Sequence, residues 1–334
     1  MLDNASMAIP AQPAQTELDY FIVDVFTETA LAGNPLAVVF NTVALTAEQM
    51  QSIAREFNLS ETTFIERRSA EVEQHEGVRV RIFTTQEELP FAGHPTLGTA
   101  SVVRLSAPET VHQDTVTLAL IVGAVPVRFA ANGLFGEMTQ RDPEFGAELE
   151  ANEVARLIGL SEDDLDPTLP PQIVSTGAAF AIVALKSLHS LARLNVNQQQ
   201  ATEWLRSRGA RWFYVLGPTG LGPTGLGQTG LGQTGLGQTG EDEPAWRARM
   251  QFNGGEDPAT GSAAGCAISY LVDRGAVPSG FRVHLRQGVE MNRPSDLYLS
   301  AKIQGEAAQP GSAKVSEVRV GGSTVLVANG RLFL

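Results

Sequence analysis

Glu88-Leu89-Pro90-Phe91-Ala92-Gly93-His94 and Glu256-Asp257-Pro258-Ala259-Thr260-Gly261-Ser262 share one frame, Glu-x-Pro-x-x-Gly followed by a polar residue, although they lie in different halves of the 334-residue chain. Each opens into an uncharged stretch rich in small residues that predicts a buried helix. The start of a buried helix presents free backbone N–H groups and the positive end of the helix dipole, which call for an anionic or polar partner. Two such starts facing each other would hold a small anion. Taken singly, the polar residues here say little. His94 reads as a helix cap, Asp257 before Pro258 as a turn residue and Ser262 as an N-cap, while Glu61 reads as a solvated charge in the link Asn58-Leu59-Ser60-Glu61-Thr62. The duplicated frame raises the set above that reading.

Other chemistries fit less well. A nucleophile elbow needs G-x-S-x-G, whereas Gly261-Ser262-Ala263-Ala264-Gly265 places the serine one position too early. A racemase with two thiols needs a cysteine at each helix start; Cys266, the only cysteine, is predicted a turn further in, packed and inert. With one Cys and five scattered His, no metal-ligand spacing emerges, and no metal is expected. Gly220-Leu221-Gly222-Pro223-Thr224-Gly225 matches the dinucleotide pattern G-x-G-x-x-G, but it is a by-product of the repeat from Gly217 to Gly240. No helix start can follow it, so 217–240 reads as a low-complexity surface insertion.

The chain carries 24 basic and 37 acidic residues, a formal charge of −13, which disfavours nucleic acid and anionic lipid as partners. Any anionic ligand must be held by local design. No run approaches the roughly 18 apolar residues of a membrane helix. A lone cysteine allows no intrachain disulfide, which makes the reducing cytoplasm the simplest expected location. Residues 1–17 read as a flexible leader without the features of a signal peptide.

The elements that must position the motifs form a strand-rich pattern. Strands are expected at Phe21 to Phe26, Ala37 to Phe40, Thr62 to Glu66, Val78 to Phe83 and Thr115 to Val122, with Gly33-Asn34-Pro35 as a turn. Thr46 to Asn58 predicts an amphipathic helix, with Thr46 and Gln49 as a capping box and Met50, Ile53, Ala54 and Phe57 on one face. Pro95 to Leu105 and Ala263 to Val272 predict the two buried helices, and Glu150 to Leu160 and Asn197 to Arg208 surface helices. Trp246 reads as helix-compatible. Further strands are expected at Ala179 to Leu185, Trp212 to Leu216, Phe281 to Leu285, Leu297 to Ile303, Val315 to Val320 and Thr324 to Ala328. The fold class is α+β: two pseudo-symmetric β-rich domains, each with strands wrapped around a central buried helix. The halves are expected over 18–130 and 131–320, with 321–334 as a final strand segment returning to the first.

Five ordered motifs together resemble the PhzF-like phenazine-biosynthesis isomerase family, whose fold is that of diaminopimelate epimerase. They are Asp24-Val25-Phe26 with Gly33-Asn34-Pro35, Asn58-Leu59-Ser60-Glu61-Thr62, the two frames above (the first extended by Pro95-Thr96), and Gln287-Gly288 with Arg293-Pro294-Ser295. Ahead of the first frame, Thr84-Thr85-Gln86-Glu87 lacks the proline often found in the family. The resemblance implies that Glu61 is the catalytic acid/base, taking a proton from one carbon of a cyclic amino acid and returning it to another. It implies that His94, Asp257 and Ser262 complete the polar set, and that Gly93, Pro95, Thr260 and Gly261 line the substrate. Glycine at the two helix starts would let the amides come close to a substrate carboxylate. No cofactor is implied; a homodimer acting on a small anionic substrate is. The alternative is a ligand-binding or protein-interaction member of the same scaffold without turnover, which the retained Glu61 argues against.

Overall fold

A computed structural model describes residues 16–108, 114–131, 133–220, 244–252, 255–304 and 314–334. Most of the leader and of the repeat lies outside these residues. Nearly all described strands join one 16-stranded sheet. Its first eight strands lead, in space, to the long last strand Lys314–Phe333. That strand pairs with Phe135–Thr139 through Arg319 to Ser323, then with the first strand, Glu17–Val25, through Thr324 to Phe333. The first-half strands thereby close into a ring around the helix Gly93–Ser106. The remaining strands curl around the helix Gly261–Asp273, which packs on both Ser295–Gln304 and Ala179–Ala184. This is the α+β arrangement expected, with one buried helix in each half.

The central helices carry no charge before their last turns because they have almost no solvent face. From Gly93 to Val103 every residue of the first is buried, and in the second only Ser262 is not. By contrast, Ala47–Phe57 is amphipathic and lies over its sheet through buried Met50, Ile53 and Ala54. Thr46 and Gln49 close the expected capping box, and Asn58 stops the helix in the left-handed conformation at φ 51°. Chain direction into Glu61 is thus set by strictly local signals.

Several elements differ from expectation. Trp246 lies in a strand, Trp246–Arg249, because it pairs with Trp212–Pro218 and Val283–Gln287. The short helices Ala70–Glu76 and Leu188–Ala192 carry too few turns to show a periodicity. The segments Val315 to Val320 and Thr324 to Ala328 are one strand of 20 residues. Gly321 and Gly322, which read as a break, permit close crossing instead: a Cβ on Gly321 would fall 2.7 Å from the Phe135 ring and one on Gly322 2.4 Å from the Phe26 ring. Among the described residues no helix is long and apolar enough to cross a membrane.

Candidate active site

The two central helices begin against each other. A Cβ on Gly93 would lie 3.0 Å from the Ser262 backbone nitrogen and 3.1 Å from the Gly261 backbone, while one on Gly261 would lie 3.2 Å from the Phe26 ring and 3.5 Å from Gly93 Cα. At Gly93 a side chain is disfavoured by the opposing helix start itself, whereas at Gly261 the nearest neighbour is the Phe26 ring. The N-cap positions are Ala92 and Thr260; neither gives a side-chain cap, and neither first turn holds an acidic residue. His94 and Ser262 each follow the first helical residue, so neither is the N-cap that the isolated sequence suggested. Two positive dipole ends therefore meet with no acidic residue inside either first turn.

Glu61 is the first residue of the strand Glu61–Glu66, paired in parallel with Leu36 of Asn34–Phe40. It is not the solvated charge in a link that its sequence neighbourhood suggests. Its side chain keeps 16% exposure and that of His94 5%, with Glu61 Oε2 3.3 Å from His94 Nε2. The contact is not aligned as a hydrogen bond, and neither atom has another partner among the described residues. Burial, and secondarily the charge of Asp257, pushes the Glu61 carboxyl up to about 8. Burial pushes the His94 imidazole down to about 3. Near pH 7 both side chains are mostly uncharged, so their contact is not an ion pair.

Asp257 completes the cluster from the other half. Its Oδ1 accepts from Asn34 Nδ2 at 2.8 Å and its Oδ2 from the Thr260 hydroxyl at 2.7 Å. Burial raises its carboxyl to about 6, with the Thr260 and Asn34 hydrogen bonds working in the opposite direction. The Thr260 hydroxyl is thus engaged inside the protein, and it also accepts from Gln287 Nε2 at 3.0 Å. Gln287 further donates to the Asp257 carbonyl at 2.7 Å, accepts from the Thr260 N–H at 3.1 Å and is itself fixed by the Tyr214 hydroxyl at 2.8 Å. Cys266 is buried, and burial raises its thiol to about 11, as its inert reading required.

Glu61, His94, Asp257, Gly93, Gly261 and Thr260 converge, with Ser262 partly exposed beside them and Pro95 buried in the first helical turn. Asn34, Gln287 and Arg293 were visible only as members of motifs, and Tyr214 not as a site residue at all. Arg293 anchors the turn before Asn34: its guanidinium reaches Asp24 Oδ1 at 2.5 Å, the Gly33 carbonyl at 2.8 Å and the Ala32 carbonyl at 2.8 Å. Asp24, 2% exposed, also accepts from the Leu31 N–H at 2.7 Å. Removing the cation would leave this carboxylate buried and uncompensated. Arg293→Met is therefore expected to cost about 2–3 kcal/mol in chemical denaturation, less than the roughly 3–5 kcal/mol for breaking a fully buried pair because the arginine is partly exposed.

Two β-rich halves, each closed around one buried helix, thus meet at the starts of those helices. A family model described as "Phenazine biosynthesis-like protein" matches residues 23–217 and 236–330, and the chain belongs to that family. It is 33% identical over 323 residues to a trans-2,3-dihydro-3-hydroxyanthranilate isomerase from Pseudomonas aeruginosa, covering 94% of this chain and 99% of that one. A solved predicted epimerase from Pseudomonas aeruginosa matches with a TM-score of 0.71 at 32% identity, over 94% of this chain and 98% of its own. A PhzF-family phenazine biosynthesis protein from Bacillus anthracis shares the fold, with a TM-score of 0.75 at 24% identity over 96% and 100% of the two chains.

Proposed function

We propose that the protein is a cofactor-independent isomerase that moves a proton between two carbons of a small, cyclic, amino acid-like carboxylate, with Glu61 as its single general acid/base. The observation that carries this reading is the juxtaposition of a buried carboxyl, raised to about 8, with two uncapped helix starts. The substrate carboxylate would occupy the helix starts, where backbone N–H groups and Ser262 can donate to it. Glu61 as carboxylate would take a proton from one carbon, the C–H electron pair moving into the adjacent π system. The same carboxyl would return the proton to the far end of that system, so no oxidant or reductant is consumed. A carboxyl balanced near neutrality suits both steps. Neutral His94 and the Asp257 carboxylate would hold the polar groups of the ring. The Pseudomonas aeruginosa relative is named for trans-2,3-dihydro-3-hydroxyanthranilate, and that compound or an analogue is the substrate to try first. Its isomerisation, followed by NMR in D₂O, is the expected result; neither conversion nor carbon-proton exchange with this class of compound would overturn the reading. A homodimer in the cytoplasm completes the proposal.

The pH dependence follows from the same groups. The accepting form of Glu61 is the carboxylate, so kcat/KM is expected to rise with pH and level off above about 8, with a second, steeper fall below about 6 as Asp257 takes up a proton. A profile flat from pH 6 to 9 would contradict the assignment of Glu61 as the base.

A further inference from the structure

We propose that Asn34 is a positioning residue that sets the tautomer of His94, keeping Nδ1 bare and leaving the hydrogen on Nε2, the ring nitrogen beside Glu61. The proposal deepens the isomerase reading, since it matters to turnover only if Glu61 and His94 are the reacting pair. Asn34 is fully buried, and its Nδ2 lies 2.8 Å from Asp257 Oδ1, 2.9 Å from the Ala259 carbonyl oxygen and 3.2 Å from His94 Nδ1. Exchanging the oxygen and nitrogen of this amide would set its oxygen against a carboxylate and a carbonyl at once. The NH₂ group is therefore fixed where it stands. Its two hydrogens serve three acceptors, the longest contact, to Nδ1, sharing one of them; an NH₂ group offers no lone pair to an N–H, so the imidazole nitrogen facing it presents its own. Neutral imidazole carries a single N–H, which leaves it on Nε2, 3.3 Å from Glu61 Oε2.

Three consequences follow for the chemistry. An imidazolium at His94 would press an N–H against the Asn34 NH₂, a repulsion that adds to the burial already holding this histidine neutral. A neutral Nε2–H can donate to a carboxylate or to developing negative charge, but it cannot accept a proton. His94 is thereby excluded as a second base, and Glu61 must serve both ends of the transfer. Asn34 also reaches across the halves, so Asp257 and His94 are set by one amide. The chain of contacts from Tyr214 through Gln287, Thr260 and Asp257 to Asn34 fixes that amide in turn.

The tautomer can be read without substrate, so this test stands apart from the activity test. In protein labelled with ¹⁵N-histidine, long-range ¹H–¹⁵N correlation would follow the five histidines, with His94 assigned by its absence from His94→Gln. The expected wild-type result is a bare Nδ1 and a protonated Nε2, unchanged from pH 5 to 9. Asn34→Asp presents only oxygens to Nδ1 and is expected to move the hydrogen there, with kcat/KM falling roughly 10²-fold or more, as for other enzymes whose histidine is held in the wrong tautomer. Asn34→Ala is expected to give a mixture of tautomers. A wild-type His94 protonated at Nδ1, or one titrating near the ordinary histidine value, would overturn the proposal even if both variants failed to fold.

Discussion

Glu61→Gln is expected to lower turnover by at least about 10²- to 10⁴-fold, the usual contribution of one positioned acid/base, and to make the protein more stable at the same time. The two effects share a cause. Amide and carboxyl are nearly isosteric, so the cluster around His94 keeps its shape, but the amide cannot accept a carbon-bound proton. The stability effect follows from the displaced titration. Folding raises the Glu61 carboxyl from 4.5 to about 8, so the folded state favours the protonated form. Its contribution is intact below 4.5 and is lost as pH climbs toward 8. At about 1.4 kcal/mol per pH unit, the wild type would forfeit about 3 kcal/mol by pH 7 and at most about 5 above pH 8. The neutral amide of the variant mimics the protonated carboxyl and forfeits nothing. Thermal melts should diverge in the variant's favour as pH rises from 5 to 8. Asp257, raised to about 6, erodes stability over the lower part of that range in both proteins, so it cancels from the difference. Retained turnover in Glu61→Gln would remove Glu61 from the reaction. An unchanged gap in melting temperature across the range would show that its carboxyl titrates normally.

That coupling of strain to function explains which features could be read from the chain. The helix Ala47–Phe57 was legible to its caps because Thr46, Gln49, Met50, Ile53 and Asn58 act within a few residues of one another. The central helices were legible because burial on all sides leaves them without charge until Arg104 in the one and Asp273 in the other. Glu61 was weak on its own because its displaced titration depends on His94 and Asp257, which arrive from distant segments. Asn34 was hidden for the same reason. Between Gly33 and Pro35 it reads as a turn residue, yet it begins a strand, and its side chain meets His94 60 positions away and Asp257 and Ala259 more than two hundred positions away. Gly321-Gly322 misled in the opposite sense. A glycine pair signals a turn, but here the missing side chains admit the Phe26 and Phe135 rings to a strand that runs straight on from one half to the other. Local signals fix elements; long-range closure decides what chemistry they assemble.

Gly93→Ala tests that closure where it meets the site. The added methyl would stand 3.0 Å from the Ser262 nitrogen and 3.1 Å from both the Cα and the carbonyl carbon of Gly261, all backbone atoms of the opposing helix start. No side chain can rotate aside, so the helix starts must part by a few tenths of an ångström. Each start carries roughly half a positive charge from its dipole, and their close approach focuses both on the same small volume. Parting them weakens the grip on a carboxylate and moves His94 relative to Ser262 and Asp257. Since misplacement by about 1 Å can cost 10²-fold, kcat/KM is expected to fall about 10-fold or more, chiefly through a higher KM, with about 1–3 kcal/mol lost from overpacking. Gly261→Ala is the control. Its methyl would meet the edge of the Phe26 ring at 3.2 Å and Gly93 Cα only at 3.5 Å, so a small tilt of the ring absorbs it and the loss should be smaller. Wild-type kinetics in a well-folded Gly93→Ala protein would mean that the meeting of the helices serves packing alone, and that the anion is held elsewhere. A KM effect in Gly93→Ala exceeding that in Gly261→Ala would tie the repeated glycine frame to carboxylate binding.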